Sequence, residues 1–161
     1  MEASGSRVQV PHRVPVLTRV VVACYLLIQL ALPMRALAYS GNSMWTEEGY
    51  RFGWRVMLIE KVGTAAFTVV DARGGTRELV DLSEYYTPYQ IKQLSIQPDL
   101  ILQAAKCIAG DYARRRGFES PAVYADVWVS LNGRRSRQLI NSNSDLASQS
   151  DGLSPKPFIL R

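Results

Sequence analysis

VYADVWVSLNG, Val123 to Gly133, is the stretch that decides the fold. Val123, Ala125, Val127, Val129 and Leu131 recur at every second position, the period of a strand with one face in a core. Asn132 and Gly133 follow, and both residue types accept the left-handed backbone of a tight hairpin turn. RRSRQLI, Arg134 to Ile140, is therefore read as the returning strand. A sheet begun in this way needs an apolar cover, and the sequence places one immediately upstream.

That cover is a pair of helices. Gln97-Pro98-Asp99 opens one in which Ile101, Ala104 or Ala105, Ile108 and Tyr112 form a stripe at helical spacing. Its last turn carries Arg114 to Arg116, whose charges suit the negative end of the helix, and Gly117 ends it. A shorter helix starts at Thr87-Pro88-Tyr89-Gln90. Thr87 can cap it, Pro88 fits its first turn, and Gln90 can complete a capping box, giving a helix to about Ser95.

Before the helices come the other strands. WRVMLIE, Trp54 to Glu60, and TAAFTVV, Thr64 to Val70, are rich in β-favouring residues, and the intervening Lys61-Val62-Gly63 is read as their turn. Apolar side chains on both faces of the first strand imply a sheet covered in part on both sides. Asp71 to Gly75 is a glycine-rich turn into RELVDL, Arg77 to Leu82, the third strand. It has none of the flanking residues of a phosphate-binding loop. In NSMWTEEGYRFG, Asn42 to Gly53, Thr46 is expected to cap a helical turn with Glu47 and Glu48 at its positive end, stopping near Gly49.

The segment from Val14 to Met34, VPVLTRVVVACYLLIQLALPM, is close to a membrane span, with Arg19 and Arg35 at its ends reaching towards the interfaces. Arg7, Arg13 and Arg19 precede it and Arg35 alone follows closely, which places the N-terminus in the cytoplasm and the domain on the periplasmic or external side. Two other readings stay open: a cleaved signal peptide ending at Ala36-Leu37-Ala38, and a buried helix of a soluble protein. The fold class is α+β: one N-terminal transmembrane or membrane-proximal helix, then a small mixed domain with antiparallel β-hairpins and two packed helices. Residues 1–13 form a basic leader, 14–39 the membrane helix, and 40–161 an extramembrane domain with a flexible stretch near 141–157. The apolar stub Phe158 to Leu160 is expected to dock on that domain.

Charge and composition narrow the function. Residues 1–40 hold four Arg and one Glu, so three of the five net positive charges lie beside the apolar segment rather than on the folded unit. A nucleic-acid binder would concentrate basic residues on the folded unit and interleave them with stacking aromatics or carry a recognised module; only Arg114–Arg116 and Arg134, Arg135 and Arg137 come close, and both clusters are read as solvated faces. Cys24 lies in the apolar segment and Cys107 at an expected helix-core position, and both are read as free thiols. The one histidine, His12, sits in the leader, which leaves neither a multi-histidine metal cage nor a Ser/His/Asp arrangement in the domain. Glu60, Glu78, Asp81 and Glu84 are read as surface carboxylates. Trp45, Glu47, Glu48, Tyr50, Arg51 and Arg55, with Phe52 and Trp54, form an aromatic and charged cluster just after the apolar segment. It suits docking on a helical bundle or at lipid headgroups, although the aromatics could equally fill a core.

NSMWTEEGYRFGWRVML resembles a segment of the vitamin K-dependent gamma-carboxylase family and its bacterial relatives with the horizontally transferred transmembrane domain. The likeness continues through FTVVD, EYYTPYQIKQLSIQPDLILQ, DVWVSLNGR, LIN and KPFIL, across residues 22–161. Gly53 departs from the serine usual at its position. The resemblance implies that Val22 to Tyr39 is the last membrane segment before an extramembrane domain. It implies further that the family's lyase-type chemistry, carboxylation of substrate glutamates with reduced vitamin K, oxygen and carbon dioxide, resides in earlier membrane helices. The family's catalytic lysine and histidine match no position here, so no catalytic, cofactor or metal residue is carried over. The implied partners are membrane lipid, a multi-helix membrane protein bearing the catalytic groups, and a protein substrate. A membrane-tethered binding or structural module unrelated to carboxylation, and a self-contained enzyme, remain as alternatives.

Overall fold

The computed structural model describes residues 14–50, 53, 59–152 and 154–161. The chain divides into two compact units, Met1–Leu32 and Pro33–Arg161. In order, the elements are α1 (Val16–Met34), a 3-10 turn (Arg35–Ala38), α2 (Ser43–Thr46), β1 (Lys61–Val70), β2 (Arg77–Leu79), a 3-10 turn (Leu82–Glu84), α3 (Pro88–Leu94), α4 (Pro98–Arg115), β3 (Ala122–Leu131) and β4 (Arg137–Gln138).

In α1 the side chains are exposed and overwhelmingly apolar, and the helical run Val16–Ala38 is long and apolar enough to cross a membrane. At ~1.5 Å per residue, α1 alone reaches roughly 28 Å, against ~30 Å for the hydrocarbon layer. Its polar groups turn back on the helix: the Arg19 guanidinium donates to the Val14 carbonyl (3.2 Å) and the Gln29 amide to the Tyr25 hydroxyl (3.0 Å). Such local bonds lower the cost of polar groups on a lipid-facing helix. The fold is thus the α+β arrangement expected, one apolar helix and a mixed domain.

The sheet is antiparallel in the order β2-β1-β3-β4. Its backbone is a ten-pair ladder from Lys61 opposite Leu131 to Val70 opposite Ala122. Alternation in β3 does what its pattern predicts: Val123, Ala125, Val127 and Val129 are buried, facing Phe67 and Val69 of β1 and the α4 stripe Ile101, Ala104, Ala105, Ile108 and Tyr112. The turn at Asn132 (φ 50°) and Gly133 (φ 71°) closes with Arg134 N–H donating to the Leu131 carbonyl (3.1 Å). Asn132 also accepts from Glu60 N–H through its side chain (2.7 Å), tying the turn to the start of β1. The returning strand β4 is only two residues long.

One expected turn is a strand. Lys61-Val62-Gly63 opens β1 and pairs with Leu131, Ser130 and Val129, so the chain runs straight where a reversal was read. The partner of this opening segment is β3, far along the chain, and Gly63 serves that packing: a Cβ there would lie 2.9 Å from the Trp128 carbonyl and 3.0 Å from that of Ser95. The strand expected at 54–60 lies outside the described residues except for Ile59 and Glu60. Helices α3 and α4 pack on one face of the sheet; on the other, Val62, Leu79 and Trp128 are exposed.

The capping box at Thr87 and Gln90 forms as read, and Gly117 (φ 70°) ends α4. Arg116 goes further than the helix dipole, pairing with Glu78 (3.1 Å) and Glu84 (3.2 Å) and lying 4.7 Å over the Tyr112 ring. Cys107 is a correction: it is exposed, because Ile108, Ala104 and Ala105 already fill the buried side of α4. Beyond β4 the chain is anchored too. Leu146 is buried and donates its N–H to Val123, and the Asp145 carboxylate accepts from Val123 N–H (2.9 Å). Ile159 bridges Ile140 in antiparallel register, and Phe158 is buried beside it.

Candidate interaction site

The Ser43–Gly49 corner begins with a cap different from the one expected. The Asn42 carboxamide, not Thr46, accepts from the first turn of α2, at Met44 N–H (2.9 Å). Thr46 is the last helical residue, and its hydroxyl accepts from Glu48 N–H (3.3 Å). Glu47 stops the helix in the left-handed conformation (φ 59°), and Gly49 (φ 67°) turns the chain again. A side chain at Gly49 would fall 2.7 Å from the Ala36 backbone, so glycine lets the two segments touch. Glu47 and Glu48 therefore sit past the C-terminal end of α2, where the helix dipole opposes their charge, and they are held by cations instead.

Each carboxylate has its own clamp. Glu47 meets the Lys61 ammonium at 2.6 Å, and that ammonium also donates to the Trp45 carbonyl (2.8 Å). Glu48 accepts from Lys156 N–H (2.6 Å) and pairs with Arg161 (3.0 Å). Lys156 closes the ring on Asp99, and Arg161 also donates to the Ser40 hydroxyl. Trp45 is 3% exposed; its indole N–H donates to the Leu160 carbonyl (2.7 Å), and the Arg137 guanidinium lies 4.7 Å over its ring. Burial pulls the Lys61 ammonium below its ordinary range, against the pull of Glu47 in the other direction.

Glu47, Glu48, Asp99 and Lys156 border a cleft of about 230 Å³ that is also lined by Arg35, Tyr39, Thr46, Gly49, Asp151, Gly152 and Ser154. Of the six interaction residues expected from the sequence, Glu47 and Glu48 line this cleft and Trp45 is tied to Glu47 through Lys61; Tyr50 is half-buried, and Arg51 and Arg55 lie outside the described residues. Lys61, Asp99, Arg137, Lys156 and Arg161 were not selected. The signals that point to them are a lysine opening an apolar strand and the family-like KPFIL block next to Arg161. Among the described residues, no group of three or more His, Cys, Asp or Glu could hold a metal ion.

A second concavity, about 470 Å³ and mostly apolar, lies between α3 and α4, lined by Tyr86, Tyr89, Leu94, Leu100, Ala104 and Cys107. Burial, with the adjacent Cys107 thiol, pushes the Tyr86 phenol up to about 12.

The family model for the lumenal domain of vitamin K-dependent gamma-carboxylase matches residues 15–161. The chain belongs to this family. No solved structure matches it. For a lumenal domain of this family, the arrangement fits an extramembrane module joined to an apolar, membrane-spanning-like helix. The matched span includes the corner from Asn42 to Gly49 and the Lys156–Arg161 segment that completes it.

Proposed function

We propose that this lumenal-type domain is the non-catalytic extramembrane part of a gamma-carboxylase-like membrane system, supporting assembly or the binding of a protein substrate. The observation that carries this reading is the family match, which runs from the apolar helix through the whole domain. The charged residues of the corner point the same way, since Glu47, Glu48, Lys61 and Lys156 are engaged in holding the fold together. A proton-abstracting group would need to face substrate.

In this reading the domain lies on the periplasmic or external side. A multi-helix membrane protein of the type with the horizontally transferred transmembrane domain supplies the lyase-type chemistry and takes up reduced vitamin K. The stretch from Trp45 to Arg55 faces that partner, with Tyr50, Arg51 and Arg55 making contact while Trp45, Glu47 and Glu48 hold the stretch in position.

The test is incorporation of isotope-labelled bicarbonate into a glutamate-containing peptide. The chain alone in detergent micelles is expected to give none, and coexpression with a multi-helix family protein is expected to give label. A photocrosslinker replacing Tyr50 should then join the two chains. Label from the chain alone overturns the non-catalytic assignment. No label and no crosslink from a folded, coexpressed pair favours a tethered binding module unrelated to carboxylation, for which the apolar groove between α3 and α4 is the supporting feature.

A further inference from the structure

The segment Ser154–Arg161 lines the charged cleft with Ser154 and Lys156 and bonds the Ser43–Gly49 corner, yet few backbone bonds secure it. Phe158 accepts from Asn141 N–H (2.8 Å) and Leu160 donates to the Leu139 carbonyl (2.9 Å), on either side of the Ile140–Ile159 bridge. Pro155 and Pro157 flank Lys156 and offer no N–H, so the pairing cannot lengthen into a full strand. The rest of the hold consists of side chains: Phe158 and Ile159 in the core, Glu48 on Lys156 N–H and Arg161, Asp99 on Lys156, and the Trp45 indole on the Leu160 carbonyl. Ionic contacts that reach solvent weaken with salt, and the Arg161 side chain is 35% exposed.

We propose that Ser154–Arg161 is a releasable strap whose opening loosens the Ser43–Gly49 corner, leaving the Lys61 bonds to Trp45 and Glu47 in place, while the β1–β3 ladder stays closed. The coupling is built from shared atoms. The Glu48 carboxylate bonds the strap at both Lys156 and Arg161, so lifting the strap removes both of its bonds to that segment. The same motion removes the Leu160 carbonyl from the Trp45 indole. It also moves Ser154 and Lys156, which line the same cleft as Thr46–Gly49. The ladder has its own ten residue pairs and the α4 stripe, none of which uses the strap's charged contacts.

Hydrogen exchange read by mass spectrometry on the full chain in detergent micelles tests this. Arg161→Ala is expected to speed exchange in peptides covering 154–161 and 43–49 together, each by about tenfold, with β1 and β3 unchanged. Glu48→Gln, which keeps an acceptor for Lys156 N–H but drops the ion pair, should act in the same direction and less strongly. The unmodified chain provides a third arm that needs no variant to fold: raising salt to roughly 0.5 M should quicken the same two segments in step. The strap is overturned as a switch if 154–161 opens while 43–49 stays protected. It is equally overturned if β3 exchanges along with the strap, or if neither segment responds to salt.

Discussion

The β1–β3 ladder under α4 and the corner at Ser43–Gly49 belong to one domain and are held by different forces. In the ladder beyond Lys61 the buried side chains are aliphatic or aromatic, and the backbone bonds repeat between facing residues. In the corner the buried groups include Glu48 and Lys61, and each depends on particular partners. An apolar layer answers to volume and burial, so a wrong side chain costs according to what it puts into the core. A buried ion pair answers to its partner: losing one member leaves the other charged and desolvated, while losing both together can cost little.

The largest effect is therefore expected in the layer. Ile101, fully buried on α4, changed to Asp should cost at least about 4 kcal/mol, since the charge enters a site lined by hydrocarbon. Urea unfolding of the full chain in micelles measures it, and Ile101→Val should cost only about 1 kcal/mol in the same series. Equal losses for the two changes would show that volume, not charge, governs that site.

Next comes the corner. Glu47→Gln should cost about 3 kcal/mol, and adding Lys61→Met should restore most of that loss, a reversal with no counterpart in the layer. The pH dependence gives the same contrast its sign. Burial already holds the folded Lys61 below its ordinary 10.5, and removing Glu47 takes away the group that opposes this. The unfolded chain then binds the proton more tightly, so the variant's deficit is largest near neutral pH and shrinks as pH rises towards 10.5. A deficit independent of pH would mean that Glu47 acts through its left-handed backbone position instead.

A smaller loss, about 2 kcal/mol, is expected for Asn132→Pro, where φ is 50° and the N–H donates to the Glu60 carbonyl. Far-ultraviolet circular dichroism should show the sheet retained, with the unfolding midpoint lowered. The smallest effect is alkaline. Tyr86 titrates at about 12 in the fold against an ordinary 10.0, so its contribution is complete below pH 10.0 and is lost as pH rises through 12. Absorbance at the phenolate band should lose a late-titrating component in Tyr86→Phe, with stability near neutral pH little changed.

How far the fold could be read from the chain follows the same division. The β3 alternation, the Asn132-Gly133 turn, the Thr87 capping box and the Ile101–Tyr112 stripe are local patterns, and local patterns carry their own period or cap chemistry. Gly63 was misread because glycine marks both turns and close backbone approaches, and only the position of β3 decides between them. Asn42 and Thr46 are both good caps; the choice depends on where Glu47 turns left-handed. Cys107 was misplaced because a stripe at helical spacing is wide enough to admit a neighbour from its rim. At the site, Trp45, Glu47, Glu48 and Tyr50 stand out as a cluster in sequence, but their partners do not. Lys61 is 14 residues from Glu47, and Arg161 is 113 from Glu48, with no periodicity to link them.

Those separations have a consequence during synthesis. The bonds that complete the corner span 108 residues from Glu48 to Lys156, 115 from Trp45 to Leu160 and 121 from Ser40 to Arg161. At ~5–20 residues per second on the ribosome, Trp45 and Glu48 emerge roughly 5 to 20 seconds before the residues that receive them. Throughout that interval a bulky indole and an acidic side chain wait without these partners. The nascent chain therefore passes through a stage in which this corner is open to whatever insertion or chaperone machinery attends it, until the strap closes over it.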